Sequence, residues 1–232
     1  MKKGALYYIL LIALFLIFWI WAAINPLYQK DWLMENYLVF IFIPLILIAG
    51  YYFRLSKLSY TLITFFMILH VIGSHYTYAE VPFGFTLQNW LNSNRNMYDR
   101  LVHFSFGLLL AYPIREIFVR LTKAKGFWGY YLPLDLTLAF SAIYEIIEWI
   151  TAVNVDASAG LAFLGAQGDI WDAQKDMLIA GIGAAVTMSI TFFINLVYNK
   201  NCWKEIKESF HIQKNDAPLG EVKLEKLIRL SK

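Results

Sequence analysis

Six blocks of this sequence stay apolar for about 17–25 residues each, and no other feature restricts the fold as tightly. Wound as a helix at about 1.5 Å per residue, such a block matches the ~30 Å hydrocarbon core of a bilayer. Hydrocarbon offers the backbone no hydrogen bonds, so each block must satisfy its own N–H and C=O groups by becoming a helix. With 59% hydrophobic residues and a mean hydropathy of +0.51, the chain carries more apolar residues than a soluble core of its size absorbs. The fold class is therefore an all-α integral membrane bundle of six transmembrane helices. Spans are expected at about 5–24, 37–53, 58–78, 99–119, 127–151 and 170–198. They make one transmembrane domain over 1–198, followed by a charged cytoplasmic tail over 199–232.

Met1-Lys2-Lys3 ahead of the first block resembles the start of a secretory leader. The apolar run is too long for one, and Trp21-Ala22-Ala23 is a poor cleavage site, so the block reads as an uncleaved helix. Residues 25–36 read as a polar loop, and Pro44 as a kink inside the second span. The longest connection, 79–98, carries Phe83, Phe85, Leu87, Trp90 and Leu91, a pattern for a segment lying along the membrane surface. Residues 154–168 are rich in Ala and Gly and suit a loop that dips back toward the membrane.

Lys and Arg near the span ends set the orientation. With the N-terminus inside, Lys2, Lys3, Arg54, Lys57, Arg115, Arg120, Lys123, Lys125, Lys200 and Lys204 fall on the inner side. Only Lys30, Arg95, Arg100 and Lys175 fall outside. Both termini are expected in the cytoplasm. Because the basic residues follow membrane edges and the tail, nucleic acid is not an expected partner. The lone Cys202 excludes an internal disulfide and a cysteine-built metal site.

The polar residues within the spans are not evenly spread. Asp99 and His103 open the fourth span at i and i+4, and Glu145 and Glu148 close the fifth at i and i+3. Asp169, Asp172 and Asp176 open the sixth at i, i+3 and i+7, while His70 and His75 close the third. Such spacings keep each set to one helix face, and alternating span directions bring all of them to the outer rim. Carboxylates crowded where water is scarce repel one another, and a divalent metal relieves this best. Ligands one turn apart on neighbouring helices build carboxylate metal sites in helical bundles. The candidate ligands are Asp99, His103, Glu145, Glu148, Asp169, Asp172, Asp176 and His75. Mostly oxygen with one or two imidazoles suits Mn, Zn, Mg or Fe, and the residues do not choose among them. Arg95, Arg100 and Lys175 at the same level are candidate ligands for a lipid phosphate.

Taken singly, these residues have plainer uses. Asp99 and Asp169 suit helix caps, His70 suits packing in the bundle, and Trp90, Trp149, Trp171 and Tyr76 to Tyr78 suit an interfacial belt. Their common depth is what argues for a shared site. Toward the inner side, Asp135 is expected to pair with Arg115. Ala180-x-x-x-Ala184 and Gly181-x-x-x-Ala185 are spacings for close helix packing.

Four stretches carry a family resemblance: His70-Val-Ile-Gly-Ser-His-Tyr-Thr-Tyr-Ala-Glu-Val-Pro, Arg95-Asn-Met-Tyr-Asp-Arg-Leu-Val-His-Phe, Tyr144-Glu-Ile-Ile-Glu-Trp and Gly168-Asp-Ile-Trp-Asp-Ala-Gln-Lys-Asp-Met. Over about residues 70–185 the chain thereby resembles the YjdF-type family of small bacterial inner-membrane proteins. The resemblance implies a multi-pass protein of the bacterial inner membrane and brings no assigned activity with it. The run from Asp169 to Asp176 also resembles the Asp-rich metal motifs of CDP-alcohol phosphotransferases. Their glycine-containing pattern is not reproduced and their sites face the cytoplasm, so no membership follows.

The leading functional expectation is a metal-dependent enzyme acting at the outer leaflet on a lipid or lipid-linked substrate, by phosphoester hydrolysis or head-group transfer. The metal would activate water or polarise a phosphoryl oxygen. Glu148 or Asp176 would serve as general base, with Arg95 or Arg100 holding the head group. A cation or proton transporter is the alternative, and a non-catalytic assembly or regulatory protein is a third class. Transporter sites usually lie near the midplane between related halves, whereas this cluster sits at one rim and the two halves do not match. Nothing in the residues sets the oligomeric state.

Overall fold

The computed structural model describes residues 3–155, 160, 164–211 and 221–230. Among them six helices are long and apolar enough to cross a membrane. These are α1 (Lys3–Ala23), α2 (Gln29–Tyr52), α3 (Lys57–Tyr76), α5 (Tyr98–Ile117), α6 (Trp128–Val153) and α7 (Asp172–Tyr198). A short helix, α4 (Pro82–Trp90), joins α3 to α5, while α8 (Cys202–Glu208) and α9 (Glu221–Leu230) follow the last span. A turn of π-helix, Phe118–Thr122, prolongs α5. The all-α, six-span class read from the sequence is the class the chain adopts.

Helix α5 is central, packing against α3, α6 and above all α7. Small residues let α5 and α7 come this close. Ala180, Ala184 and Ala111 are fully buried between them. A side chain on Gly107 would fall onto the Ala180 carbonyl, and one on Gly183 onto the Phe104 carbonyl. The Thr187 hydroxyl adds a bond to the Leu108 carbonyl at 2.5 Å. Both helices present their small residues and their charges on one stripe: Arg100, His103, Gly107 and Ala111 on α5, and Asp172, Asp176, Ala180 and Gly183 on α7. The notch that seats the helices therefore also presses the polar residues together.

Several elements differ from the sequence reading, each for a physical reason. Residues 29–36 are not a loop but the first two turns of α2. They are polar because they are buried against protein: Asp31, Glu35 and Asn36 are all inaccessible. Asn36 accepts from the Trp19 indole at 2.8 Å and donates to the Trp32 carbonyl at 2.7 Å. Helix α3 stops at Tyr76 because Thr77 and Tyr78 take left-handed backbone, φ 54° and 39°, and the Tyr78 N–H turns back to the Gly73 carbonyl. Arg115 lies over the Tyr130 ring, 4.8 Å from its centre, and Asp135 is exposed on α6. The expected Arg115–Asp135 pair is not made.

The tail does not leave the bundle at residue 199. Trp128 donates to the Ser209 carbonyl at 2.8 Å, and the Phe127 and Phe210 rings stand 5.0 Å apart, so α8 and the residues after it return to the start of α6. Helix α4 leaves Phe83, Phe85 and Trp90 exposed, as a surface-lying segment does. The expected dip of 154–168 rests largely on 156–159 and 161–163, which lie outside the described residues, as do Lys2 and 212–220.

Candidate metal centre

The helix ends at one end of the bundle build two polar layers. The upper layer is ionic. Arg100, 5% exposed, donates to Asp172 Oδ1 at 2.5 Å and to the Asp172 carbonyl at 3.0 Å. It also pairs with Asp176 and lies 3.3 Å from Asp169 Oδ2. Arg95 pairs with Asp172, stands 3.3 Å from Asp99 Oδ2, and donates to the Gly165 carbonyl at 3.1 Å. The loop ahead of α7 is tied down beside it, since Gln167 Oε1 accepts from the Asn96 N–H at 2.8 Å. At the mouth, half-exposed Lys175 meets Asp169 Oδ2 at 2.6 Å. That hydrogen bond, with the Trp171 N–H assisting, holds the Asp169 carboxyl below its ordinary range.

The lower layer centres on His103, 8% exposed. Its Nε2 lies 3.5 Å from Asp99 Oδ1 and 3.5 Å from Glu145 Oε1. Ligand atoms of Asp99, His103 and Asp176 all fall within 4.8 Å of one another. Two buried oxygens here have no hydrogen-bond partner, Glu145 Oε1 and Asp176 Oδ1. Asp176 is 2% exposed, and leaving such an oxygen unpaired in a dry site costs about 1–3 kcal/mol or more. Oxygen and nitrogen ligands about 2.1 Å from a tetrahedral ion stand about 3.4 Å apart, close to the separations around His103 and too long for good hydrogen bonds. Glu148, one turn along α6 from Glu145, adjoins it.

The sequence-expected residues divide accordingly. Asp99, His103, Asp176 and Glu145 converge from three helices, with Glu148 at their edge. Asp169 and Asp172 belong instead to the arginine layer. Arg95 and Arg100 are engaged by carboxylates of this chain, not left facing a head group. His75 does not join the cluster: its Nδ1 hydrogen-bonds the Ala22 carbonyl at 3.1 Å and its ring stacks on Trp21. Trp90, Trp149 and Trp171 are exposed as belt residues would be, but Tyr78 is buried.

Beneath His103 lies a polar group that the sequence reading missed. The Tyr144 ring packs edge-on to His103, and its hydroxyl donates to Glu35 Oε2 at 3.2 Å. The Glu35 carbonyl sits 3.1 Å from His70 Nε2, and Tyr78 Oη sits 2.6 Å from His70 Nδ1. A carbonyl only accepts, so His70 carries its proton on Nε2 and Nδ1 accepts from Tyr78. Burial pushes the Tyr78 phenol up, which keeps it a donor. The signal for Glu35 was present: Asp31 and Glu35 sit at i and i+4 just ahead of an apolar run, a pattern of a helix start.

A family model described as "Predicted membrane protein (DUF2238)" matches residues 7–196. The Escherichia coli (strain K12) protein described as "Inner membrane protein YjdF" is 42% identical over 170 residues, covering 73% of this chain and 81% of that protein. No solved structure matches.

Proposed function

The chain belongs to the DUF2238 family of predicted membrane proteins, and from that premise we propose that it is a metal-dependent enzyme acting on a membrane lipid. It is a multi-pass protein of the bacterial inner membrane. The observation that carries the proposal is the lower layer, where half-buried Asp99 and buried His103 and Asp176 offer ligand atoms within 4.8 Å of one another. Asp176 Oδ1 and Glu145 Oε1 are buried without a hydrogen-bond partner, and the Glu145 oxygen lies 3.5 Å from His103 Nε2. Such a site supports a cation better than an empty space, because three to four carboxylates without one would repel each other in low dielectric. One imidazole among oxygens suits Mn, Fe or Zn, with Mg a weaker fit.

A bound divalent ion would supply Lewis acidity toward a phosphoryl or acyl oxygen, or an activated water. Glu148, which adjoins Glu145 but lies outside the closest set, would be the group to accept a proton. Arg95 and Arg100 hold the ligand-bearing ends of α5 and α7 in register, and Lys175 at the mouth has the reach to meet a phosphate. Hydrolysis or transfer at a lipid head group is the reaction class that uses all of these parts.

The test is elemental analysis of detergent-purified protein, wild type against His103→Ala and Asp176→Asn, followed by reconstitution with inner-membrane lipid extract. Stoichiometric metal in the wild type, its loss in both variants, and new lipid products only in metal-loaded wild type are the expected results. Wild type that purifies metal-free and rebinds neither Mn nor Zn removes the proposal. The reading that then stands is a helix-locking role, favoured by the ion pairs of the arginine layer.

A further inference from the structure

A cleft of about 470 Å³ runs down the bundle from this site, walled by α2, α3, α5 and α6. Along α5 its wall extends from His103 to Ile117, about 21 Å at helical rise, or some two-thirds of the ~30 Å hydrocarbon core. The walls are apolar, with Phe42, Ile46, Phe66, Phe106 and Ile114 among them. Apart from the Tyr60 and Ser141 hydroxyls, the polar side chains in the wall all lie at one end: His70, Tyr78, His103 and Tyr144. The cleft is open on one side. Helices α2 and α6 are not among the pairs in substantial contact, and Leu45, Phe140, Ile143 and Ile147 at its mouth are exposed. The Tyr144–Glu35 hydrogen bond spans the gap only at the polar end.

We propose that this cleft binds one hydrocarbon chain of a membrane lipid, admitted sideways between α2 and α6, and that it brings the lipid's polar end to His103. An apolar cleft opening into hydrocarbon fills with hydrocarbon, since water there would forfeit about 25 cal/mol for each Å² of apolar wall. The cleft is built as an amphiphile is: long, apolar, and polar at one tip. Its volume falls in the ~300–1,000 Å³ range of small-molecule sites. The polar tip shares His103 with the ligand cluster, so a chain seated to full depth is registered against that residue rather than left to drift. The inference deepens the proposed function and rests on it for the identity of the reacting site. The substrate class it names is a lipid presented from within the bilayer, one chain in the cleft and the other in the membrane.

The experiment uses the full chain in nanodiscs of a defined phospholipid, doped with the same phospholipid carrying a diazirine in mid-chain. After irradiation, labelled residues are mapped by mass spectrometry and metal content is measured on the same samples. Labelling should concentrate on the cleft faces of α2 and α6, above the level on the lipid-facing Phe193 and Ile194 of α7. Ala49→Trp, which fills the cleft, should cut cleft labelling about tenfold, equivalent to about 1.4 kcal/mol of lost chain affinity, and leave metal content unchanged. Ile147→Trp at the mouth is the second variant should Ala49→Trp fail to fold. Cleft labelling no higher than on α7, or unmoved by either variant, overturns the inference. So does a cleft that stays unlabelled while crosslinking shows a second copy of the chain seated on it. Wild type labelled in the cleft yet unable to bind metal would sink the metal site and leave the chain-binding cleft standing.

Discussion

Replacing Arg100 with Met removes the cation that meets Asp169, Asp172 and Asp176, while Met keeps most of the side chain's apolar bulk in a tightly packed place. Asp172 retains Arg95. Asp176 loses the only ion pair it makes among the described residues. Removing one partner of a buried pair costs about 3–5 kcal/mol, because the other charge is left uncompensated. The retained Arg95 contact puts the expected loss near the lower bound, about 3 kcal/mol. For a chain of this size that corresponds to a fall in melting temperature of about 6–12 °C. The assay is thermal unfolding in mild detergent, followed by tryptophan fluorescence with chelator present, so that metal does not mask the loss. Asp176→Asn added to Arg100→Met should recover much of the fall, since the pair is then removed together. Metal binding should survive in Arg100→Met, because the guanidinium supplies no ligand atom. A single variant melting within about 2 °C of wild type, well short of the buried-pair cost, or a double variant no better than the single, would refute the reasoning.

Gly183→Leu should abolish monodisperse protein in size-exclusion chromatography, because its side chain meets the Phe104 carbonyl on α5, whereas overpacking against a movable side chain costs only about 1–3 kcal/mol. Gly181→Ala meets only the Leu138 side chain and should purify normally; equal behaviour of the two would discount the α5–α7 notch. The Asp169 carboxyl is held below its ordinary value of 3.8 by Lys175, so the stability this contact adds is fully present above 3.8 and is lost as pH falls through the lower folded value. The melting difference between wild type and Lys175→Ala should therefore be flat from about pH 5 to 8 and close only in stronger acid; a difference that changes near neutrality would assign the effect to another group. Reporters fused after Lys232 and inserted near Asn94 should read cytoplasmic and external respectively, and reversed readings would invert the placement of the site.

Much of this protein was legible residue by residue. Span number follows from apolar run length, because lipid leaves a backbone no option but the helix. The depth of Asp99, His103, Glu145 and Asp176 follows from counting along those helices, since rise per residue converts sequence position into height. Their grouping at one rim needed nothing else. The start of α2 was not legible in the same way. Asp31, Glu35 and Asn36 look like loop residues to any reading that equates polarity with water, and they are polar because protein partners surround them.

Periodicity names the face a residue occupies and the height at which it sits, but not the neighbour that face meets. That choice was made by packing. The notches of Gly107 against Ala180 and of Gly183 against Phe104 set the register of α5 on α7. The register gives Arg100 to Asp172 and Asp176 and leaves His103 facing Asp99 and Glu145. His75 and His103 are the same residue type at similar heights, yet the turn at Thr77 and the contact with α1 carry His75 to Ala22 and Trp21. The lateral cleft is likewise invisible in the sequence, since it exists because α2 and α6 each pack mainly on other helices and meet one another only at the Tyr144–Glu35 hydrogen bond at its polar end. Composition and spacing determined a six-helix membrane protein with a carboxylate and histidine cluster at one rim; close packing at a few glycines and alanines decided which members of that cluster meet.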